Sequence, residues 1–555
     1  MRDYIKIANT YAKKVTTGKI VACEYVRQAC GRYLDDLKRK DWQYTLDKNK
    51  AIKACKFVEL LPHIKGELAR DKKLITLEPW QVFIIVNLFG WVDKKTELRR
   101  FKLAYIAVPR KNGKSTFASG IALYMLVADG EAGAEVYSTA TTKDQARIVF
   151  DDSKRMVERC EGLRNHTGVK TSAHSIYVEH NASVFKALAR DQGGNLDGLN
   201  VHFAVNDELH AHKTREVYDV IETGTGARSQ PLILNITTAG FNKAGICYEV
   251  QSYIAKILSG AVTDDTAFGV IFTIDKDDDW TDPSVWEKAN PNWGVSVKPD
   301  DIARLCKKAM EMPSAQNNFL TKRLNVWVNA AVAWLNMHRW AEQKTDKTLE
   351  DFKGCKAWVS LDLASKTDLA VIGVMIEKDD NKYCFAKCYV PEETAENNPN
   401  SQYSGWIRMG HLIATDGNVI DYDTIEMDLR EFCDEYDVQQ IAFDPWQAQS
   451  MMQSLNKDGY NVVEYPMRTS TISEPMKEFE AGILKGTIFH EDNPCLDWQM
   501  SNVVAKEDAN ENIYPRKEFP ENKIDAAVAL IMCQGLTMQE DTIDVDDYLG
   551  NIVIA

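Results

Sequence analysis

Three consecutive residues in the first half of the chain could bind phosphate. Gly113, Lys114 and Ser115 follow the apolar run FKLAYIAV and precede a helix-like stretch. Amides in such a loop bind phosphate oxygens, the lysine reaches the outer phosphates, and the hydroxyl can hold magnesium. Val108 replaces the first glycine of the usual G-x-x-x-x-G-K-S/T pattern, so the string alone also fits an ordinary basic turn. The strand, loop and helix context favours a nucleotide site.

Two adjacent carboxylates end a later apolar run. The sequence VHFAVNDELH places Asp207 and Glu208 at the end of a predicted buried strand. In a P-loop ATPase the first carboxylate belongs to the magnesium shell, and the second orients or deprotonates the attacking water. Alone, the pair would also fit an acidic helix N-terminus; together with the loop, it predicts an ATPase. Thr237 and Thr238 end the next strand-like run and are weaker candidates for sensing the γ-phosphate.

Two other patterns with metal-ligand character are interpreted structurally. His210 and His212 form an H-x-H pair, which we expect to be solvated loop histidines. The twelve cysteines include no C-x-x-C pair, and Cys384 and Cys388 share one face of a predicted strand. We therefore expect reduced thiols packed as small apolar side chains.

Three widely separated aspartates in the second half could form a metal centre. Asp362 lies within the apolar run WVSLDLA, Asp444 ends the run VQQIAF, and Asp525 opens the helix-like DAAVALIMC. A carboxylate in an apolar strand is costly unless it binds something. Such a triad can hold two divalent ions about 4 Å apart, as in RNase H-like nucleases. Singly, the three also fit a turn, an Asp-Pro turn and a helix cap. Four basic residues near the helix could contact a DNA backbone or simply face solvent: Lys506, Arg516, Lys517 and Lys523.

These sites require two α/β domains. Over residues 66–330, strand-like runs alternate with helical stretches, which predicts a doubly wound, mostly parallel sheet of the P-loop (ASCE-type) ATPase class. Over 356–538, three consecutive strand-like runs and a closing helix predict an antiparallel meander that opens an RNase H-like α/β domain. Residues 1–65 are predicted to be a helical appendage, 331–355 a linker and 539–555 an acidic tail.

The net charge of −14 is unusual for a DNA-binding protein, because phosphate contacts require lysine and arginine. However, the segment from Lys94 to Lys114 contains eight basic residues and one acidic residue. The total charge therefore neither supports nor excludes DNA. No apolar run is long enough to span a membrane, so we expect a soluble intracellular protein with no membrane partner.

The chain resembles the large subunits of tailed-phage terminases, in particular the HK97-like branch. The resemblance extends over about residues 66 to 535 and is carried by the following motifs: LEPWQ, PRKNGKST, ATTKDQA, the run ending in Asp207 and Glu208, TTAG, KANPNW, NFLTKRLNVW, LDLASKTD, FDPW and NKIDAAVAL. In this family an ATPase motor pumps double-stranded DNA into an empty procapsid, and a nuclease cuts the concatemeric genome.

The resemblance also implies a nucleotide site. Gln81, with Trp80, would contact adenine, Glu208 would be catalytic, and Thr237 with Thr238 would form the motif that couples hydrolysis to movement. ATP and magnesium would be bound by Arg110, Lys111, Asn112, Gly113, Lys114, Ser115, Thr116 and Asp207.

For the nuclease, the resemblance implies that Asp362, Asp444 and Asp525, assisted by Asp368, bind two Mg²⁺ or Mn²⁺ ions. Many relatives carry an arginine finger in an R-G pair ahead of the Walker B carboxylates, where this chain has Asp197 and Gly198. The finger must then come from elsewhere, and Arg190 is the candidate.

The partners that the resemblance implies are double-stranded DNA, a portal protein on the procapsid, and a small terminase subunit. The chain would be a monomer in solution and a ring, expected to be a pentamer, when docked. It would work in the host cytoplasm and be absent from the mature virion. Three alternatives stay open: a helicase-type or repair-type ATPase, a non-catalytic assembly subunit that docks on the capsid, and an RNase H-like recombinase with an accessory ATPase.

Overall fold

The chain forms two compact units in a computed structural model. The first comprises Met1–Lys307 and Asn318–Val328, and the second comprises Lys308–Asn317 and Asn329–Ala555. Within the described residues, no helix is long and apolar enough to cross a membrane. The structure describes residues 2–189, 198–212, 214–243, 245–330, 333–363, 368–397, 402–444, 449–508 and 510–540.

The first unit alternates helices with strands. Its helices are α1 (Tyr4–Thr16), α2 (Glu24–Asp36), α3 (Lys48–Glu59), α4 (Gly66–Arg70), α5 (Pro79–Gly90), α6 (Lys114–Val127), α7 (Lys143–Arg159), α8 (Glu161–Thr167), α9 (Glu216–Thr223), α10 (Ile246–Leu258) and α11 (Trp286–Ala289). Its strands are β1 (Tyr44–Leu46), β2 (Trp91–Asp93), β3 (Leu103–Ala107), β4 (Glu135–Ala140), β5 (Val169–Thr171), β6 (Ile176–Val178), β7 (Ser183–Ala189), β8 (Val201–Asp207), β9 (Leu232–Thr237) and β10 (Ala267–Ile271). Helices α12 (Pro299–Glu311) and α13 (Pro313–Arg323) each include residues of both units.

The central sheet of the first unit has the strand order β10-β3-β9-β8-β4-β7-β6-β5. Strands β10 through β7 in this order are parallel, and β6 and β5 are antiparallel. This confirms the prediction of a mostly parallel, doubly wound sheet. Ala107 pairs with Thr237, and Asp207 pairs with Ile236. The phosphate loop, the acidic pair and the two threonines therefore leave the sheet at one edge, where ligands of such folds bind.

The N-terminal helices belong to the core of this unit and do not form a separate appendage. Helix α5 is apolar on all sides and is buried along almost its whole length. The rings of Tyr11 in α1 and Tyr33 in α2 both contact Phe83 of α5, at centroid distances of 5.5 and 5.4 Å. The apolar faces of α1–α3 thus cover a helix that could not otherwise face water.

The second unit contains a second mixed α/β fold. Its helices are α14 (Met337–Glu342), α15 (Glu392–Asn397), α16 (Tyr403–Met409), α17 (Tyr422–Glu435), α18 (Gln449–Lys457), α19 (Thr469–Lys485), α20 (Pro494–Asn502) and α21 (Asp525–Glu540). Its strands are β11 (Lys344–Thr345), β12 (Lys356–Asp362), β13 (Ala370–Lys378), β14 (Asn381–Pro391), β15 (Ile413–Thr415), β16 (Asp437–Phe443), β17 (Val462–Glu464), β18 (Ile488–Glu491), β19 (Val503–Glu507) and β20 (Ile513–Lys517).

The main sheet of the second unit has the order β11-β18-β14-β13-β12-β16-β17, and β15 pairs with β14. Strands β12, β13 and β14 are antiparallel neighbours, which confirms the predicted meander. Strands β16 and β17 continue the sheet in parallel with β12. Helix α21 packs closely on this sheet, and Ser360 Oγ donates a hydrogen bond to the Ala529 carbonyl at 2.7 Å.

The segment predicted as a linker is part of the second unit. Strand β11 pairs with β18, and Trp340 in α14 is buried and stacked on His490 at a centroid distance of 3.7 Å. The segment was predicted to be a linker because it lies between the two α/β patterns of the sequence, but its tryptophan side chains lie in the core.

The thiols match the sequence prediction. All twelve cysteines are free, and nine of them are buried. Cys384 and Cys388 lie on β14 and are both buried in the core of the second unit.

Candidate functional site

The phosphate loop lies between β3 and α6. Gly113 caps the helix with φ of 80°, a left-handed conformation that glycine adopts without strain. Lys111 also has a positive φ, 74°. The Lys114 side chain is buried, and its ammonium donates a hydrogen bond to the Val108 carbonyl at 3.1 Å. The left-handed backbone of Lys111 and Gly113 turns the chain into α6, and the Lys114 side chain lies back over the end of β3.

The acidic pair faces this loop. Lys114 Nζ lies 3.7 Å from Glu208 Oε1, and Ser115 Oγ donates a weak hydrogen bond to Asp207 Oδ2 at 3.5 Å. Burial, and then the charge of Glu208, raises the pKa of Asp207 to about 7. Burial also lowers the pKa of Lys114. Buried carboxylates next to a buried ammonium group fit a site whose ligand carries both a cation and phosphate.

Glu208 is held in a strained and well-bonded position. Its backbone is left-handed, with φ of 52°, and its amide donates to the Ile236 carbonyl at 3.0 Å. Burial raises the pKa of Glu208, but a hydrogen bond from His210 and the charge on Lys114 outweigh it and lower the pKa to about 2. Strain at such a residue is maintained only when the surroundings fix it, and it is typical of functional positions.

The prediction that His210 and His212 are solvated is wrong. A short 3-10 helix, Leu209–Ala211, folds both rings into the protein, where the His210 side chain is 10% exposed and His212 is buried. His210 Nδ1 lies 3.1 Å from Glu208 Oε2 and 3.1 Å from Thr237 Oγ1. The two histidines lie in a polar stretch of the sequence, and this pattern does not predict the 3-10 helix that turns their rings into the protein.

Thr237 and Thr238 are buried beside the acidic pair. The Thr238 hydroxyl donates a weak hydrogen bond to Glu208 Oε2 at 3.5 Å, and it lies 3.3 Å from His210 Nδ1. Both threonines therefore contact the His210 ring, and Thr238 also contacts the Glu208 carboxylate.

The loop is braced by asparagines whose role the sequence did not indicate. Asn112 is fully buried, and its amide donates to Pro109 O at 3.2 Å and to Asn290 Oδ1 at 3.0 Å. Its side-chain oxygen accepts from the Asn292 amide at 3.0 Å. Asn112 thus supports the loop from below and does not present its side chain to a phosphate.

The expectation for Trp80 also requires correction. Its ring is 1% exposed, its Nε1 donates to Asn292 Oδ1 at 2.7 Å, and it packs against Phe117 and Phe272. No face is left for a base. Gln81 is better placed, because its Nε2 would lie 4.0 Å from a Cβ added to Gly113.

The remaining loop residues lie nearby. Arg110 is exposed, and its amide donates to the Lys322 carbonyl at 3.0 Å. Lys111 is exposed, and its carbonyl accepts from Ser296 Oγ at 2.6 Å. Thr116 is half-buried in the first turn of α6. Arg190, the predicted arginine finger, and Asp197 lie outside the described residues.

The basic run ahead of the loop is less available to DNA than its composition suggested. Arg99 pairs with Asp129 through two hydrogen bonds, at 2.9 and 3.0 Å. Arg100 is buried and pairs with Asp36 at 2.7 Å and Asp265 at 3.1 Å. These two side chains stabilise the fold.

The second candidate site lies at one edge of the sheet in the second unit. Asp362 is the last residue of β12, and Asp444 follows β16, the parallel neighbour of β12. Asp525 opens α21, which packs on the same strands. The fold therefore brings together three aspartates that are far apart in the sequence, in the order predicted.

The carboxylates of this site repel one another. Burial, followed by the charges of Asp525, Asp444 and Asp368, raises the pKa of Asp362 well above its usual range. Burial and then Asp368 raise the pKa of Asp525 to about 6. Lys517 opposes both shifts, and Lys523 Nζ pairs with Asp368 Oδ2 at 2.6 Å. Concentrated negative charge of this kind is relieved by a divalent cation.

The oxygen atoms of this site suit a divalent metal ion. Asp525 Oδ2 is buried and has no hydrogen-bond partner among the residues that the structure describes, so one acceptor oxygen of the site is unsatisfied. The donors are all carboxylates, which suit magnesium or manganese. Among the described residues, however, no three acidic, histidine or cysteine side chains already enclose an ion position. The aspartates fit a divalent metal in type and charge.

Comparison with known proteins identifies the family. The family model described as "Terminase large subunit, endonuclease domain" matches residues 261–540, and the model described as "Terminase large subunit, ATPase domain" matches residues 79–256. The chain belongs to the terminase large subunit family. It carries an ATPase and an endonuclease, and it uses nucleotide and divalent metal.

Individual relatives cover most of the chain. Protein YmfN of Escherichia coli (strain K12) is 38% identical over 373 residues, which is 64% of this chain and 81% of YmfN. The large terminase subunit of Enterobacteria phage HK97 is 27% identical over 461 residues, covering 80% of this chain and 89% of that protein. The crystal structure of the HK97 bacteriophage large terminase aligns with 88% of this chain and 99% of that chain, at 24% identity and a TM-score of 0.44.

Family membership decides among the alternatives left open by the sequence. A helicase-type or repair-type ATPase would lack the nuclease that matches residues 261–540. A recombinase with an accessory ATPase and a non-catalytic assembly subunit do not agree with two matched enzymatic domains of one packaging protein.

Proposed function

We propose that this chain is the motor and nuclease that package viral double-stranded DNA, with the motor in residues 66–330 and the nuclease in 356–538. ATP hydrolysis would drive translocation into a procapsid, and metal-dependent cleavage would separate genomes from a concatemer. The observation that carries the motor is the meeting of Lys114 Nζ and Glu208 Oε1 at 3.7 Å, at the sheet edge where the loop begins.

In the proposed ATPase, each residue has a distinct task. The loop amides and Lys114 bind the β- and γ-phosphates of ATP, and Gln81 lies beside the loop, where it can contact the adenine. Ser115 and Asp207 would hold magnesium, which neutralises developing phosphate charge when bound. Glu208 is ionised and accepts a proton from the attacking water, or orients it. Thr238 contacts Glu208 directly and Thr237 contacts His210, so both would respond to loss of the γ-phosphate.

In the proposed nuclease, Asp362, Asp444 and Asp525 would hold two Mg²⁺ or Mn²⁺ ions, and Asp368 would assist. Bound ions of this kind activate water and stabilise the leaving oxygen of a phosphodiester. The chain's own contribution is to collect the carboxylates at one edge of the sheet, where burial and mutual repulsion raise the pKa values of Asp362 and Asp525 and so favour a bound cation. Lys523 holds Asp368 in place, and Lys517, on β20, lies close enough to lower the pKa of Asp362.

The proposed partners follow from the family. They are double-stranded DNA, the portal of a procapsid and a small terminase subunit. The chain would be a monomer in solution and a ring, pentameric in our expectation, on the portal. It would act in the host cytoplasm and be absent from the mature virion. We also propose that Arg190 supplies the arginine finger to a neighbouring subunit, with Arg110 as a further phosphate contact.

Two variants of the full-length protein test whether ATP hydrolysis and DNA cleavage take place at separate sites. Lys114→Ala should abolish ATP hydrolysis and leave plasmid cleavage with Mn²⁺ unchanged, because Lys114 is not in the nuclease unit. Asp362→Asn should do the reverse. A wild-type protein that cuts no DNA with either metal, or a Lys114→Ala variant that hydrolyses ATP normally, would contradict the proposal.

A further inference from the structure

The imidazole ring of His210 lies between two charged side chains, one at each of its two nitrogens. Its Nε2 lies 2.9 Å from Lys322 Nζ, in the last turn of α13. Its Nδ1 lies 3.1 Å from Glu208 Oε2. The ammonium can only donate a hydrogen bond, so Nε2 must accept it and cannot carry a hydrogen. A neutral ring then carries its hydrogen on Nδ1, which donates toward the carboxylate.

The other two states of the ring conflict with these neighbours. A hydrogen on Nε2 would oppose the Lys322 ammonium, and the Nδ1 lone pair would then face Glu208 Oε2. A doubly protonated ring would again place a positive N–H against Lys322. Burial and the charge of Lys322 lower the pKa of His210, despite the hydrogen bond to Glu208. The surroundings therefore select the neutral Nδ1–H form.

This contact makes the two oxygens of Glu208 different. Oε2 accepts from His210 and from the Thr238 hydroxyl. Oε1 faces Lys114 at 3.7 Å. The hydrogen bonds to Oε2 fix the orientation of the Glu208 carboxylate. Oε1 is then the oxygen that can contact a water molecule held at the γ-phosphate.

We infer that His210 and Lys322 are positioning residues for Glu208, holding Oε2 so that Oε1 receives the proton of the attacking water. Lys322 fixes the tautomer of His210, and His210 fixes the carboxylate. Lys322 is tied to the nucleotide loop as well, because its carbonyl accepts from the Arg110 amide at 3.0 Å. The inference rests on the proposed role of Glu208 and adds two residues to the machinery of hydrolysis.

The first test compares two substitutions of His210 in full-length protein. His210→Ala removes the donor, so kcat for ATP hydrolysis should fall by about tenfold or more, with KM and the affinity for a non-hydrolysable ATP analogue changed less than about twofold. His210→Asn places an amide near the position of Nδ1, so it should recover most of kcat. The exposed His174→Ala is the matched control and should behave as wild type.

The second test observes the tautomer directly. With ¹⁵N-labelled histidine, the His210 signal, assigned as the one lost in His210→Asn, should show a protonated Nδ1. Lys322→Met should convert this signal to a mixture of tautomers and lower kcat. In the His210→Asn background the same substitution should have a smaller effect, because the two residues act through one contact.

Several outcomes would overturn the inference. His210→Asn could be as slow as His210→Ala, His210→Ala could keep a normal kcat, or the ring could carry its hydrogen on Nε2. Glu208→Gln separates the two levels of the proposal. If Glu208→Gln is inactive while His210→Ala is active, only the positioning role fails; if Glu208→Gln is active, the proposed role of Glu208 fails.

Discussion

The side-chain oxygen of Asn112 accepts a hydrogen bond from the backbone amide of Asn292 at 3.0 Å, and the Asn292 side chain donates back to the Asn112 carbonyl at 3.3 Å. This reciprocal pair attaches the nucleotide loop to a segment that lies far along the chain. Asn292 Oδ1 also accepts from the buried Trp80 ring, so one amide supports both the loop and the helix that carries Gln81.

Asn292→Ala should weaken nucleotide binding more than it slows hydrolysis. The substitution removes the side-chain bond to the Asn112 carbonyl, which loosens the loop, and leaves Trp80 Nε1 buried without its partner, which costs about 1 to 3 kcal/mol of stability. We expect a higher KM for ATP and a lower unfolding temperature of the first unit. Steady-state kinetics and calorimetry measure the two effects. Asn49→Ala, on the exposed face of α3, is the control. If Asn292→Ala has the same KM and stability as this control, the Asn292 side chain does not support the nucleotide loop.

The two strand ends at the candidate ATPase site could be predicted from the sequence, but the surroundings of Glu208 could not. Apolar runs that stop at Asp207 and Thr237 indicate parallel strands, and parallel strands bring such ends to one edge. Lys322 and Asn292 reach the loop from distant segments, and no local pattern encodes that approach. His210 was misinterpreted because a polar stretch with two histidines is typical of a solvated loop.

Gly373→Ala should destabilise the second unit and leave the ATPase intact. A Cβ at this position on β13 would lie 2.7 Å from Ala529 Cβ and 3.1 Å from the Ala529 carbonyl carbon of α21. Because a backbone atom cannot move aside cheaply, overpacking should cost about 1 to 3 kcal/mol. Plasmid cleavage at elevated temperature should be lost first, and ATP hydrolysis should persist.

Gly405→Ala is the matched control for this substitution. A Cβ on Gly405, in α16 of the same unit, meets no atom of the described residues within 4 Å. Its cleavage activity and unfolding temperature should match those of the wild type. Equal stability of the Gly373 and Gly405 variants would show that α21 does not press on the sheet as described.

Asp525→Asn should stabilise the metal-free protein at high pH. Burial raises the pKa of Asp525 to about 6, above the unfolded value, so the folded state binds the proton more tightly. Ionised Asp525 destabilises the folded state. This destabilisation is absent below the pKa that Asp525 has in the unfolded state, grows as the pH rises from about 4 to 6, and is complete above a pH of about 6. Removing the charge should therefore raise stability at pH 8 by about 1 to 3 kcal/mol.

Thermal unfolding in EDTA at pH 8 and pH 4 measures this effect. The gain should be large at pH 8 and close to zero at pH 4, where both proteins are uncharged at this position. Asp416→Asn, at an exposed position of the same unit, should show no such difference. A gain of equal size at both pH values would mean that charge repulsion is not its cause.

The order of the three aspartates, strand end, later strand end and helix start, predicted that they would lie together, and the fold places them at one edge of the sheet. What the sequence could not provide was the sheet order that makes β12 and β16 neighbours, since β13 and β14 intervene along the chain. Nor did it indicate that residues near Trp340 complete this unit. Burial of aromatic residues in a polar segment depends on tertiary partners.

The most direct test of the account is ATP-dependent packaging with the nuclease disabled. Asp362→Asn protein, mixed with procapsids and linear double-stranded DNA, should protect that DNA from added nuclease only when ATP is present. Asp362→Asn combined with Glu208→Gln should protect none. DNA protection without ATP, or equal protection by the double variant, would contradict a motor driven by hydrolysis at this site.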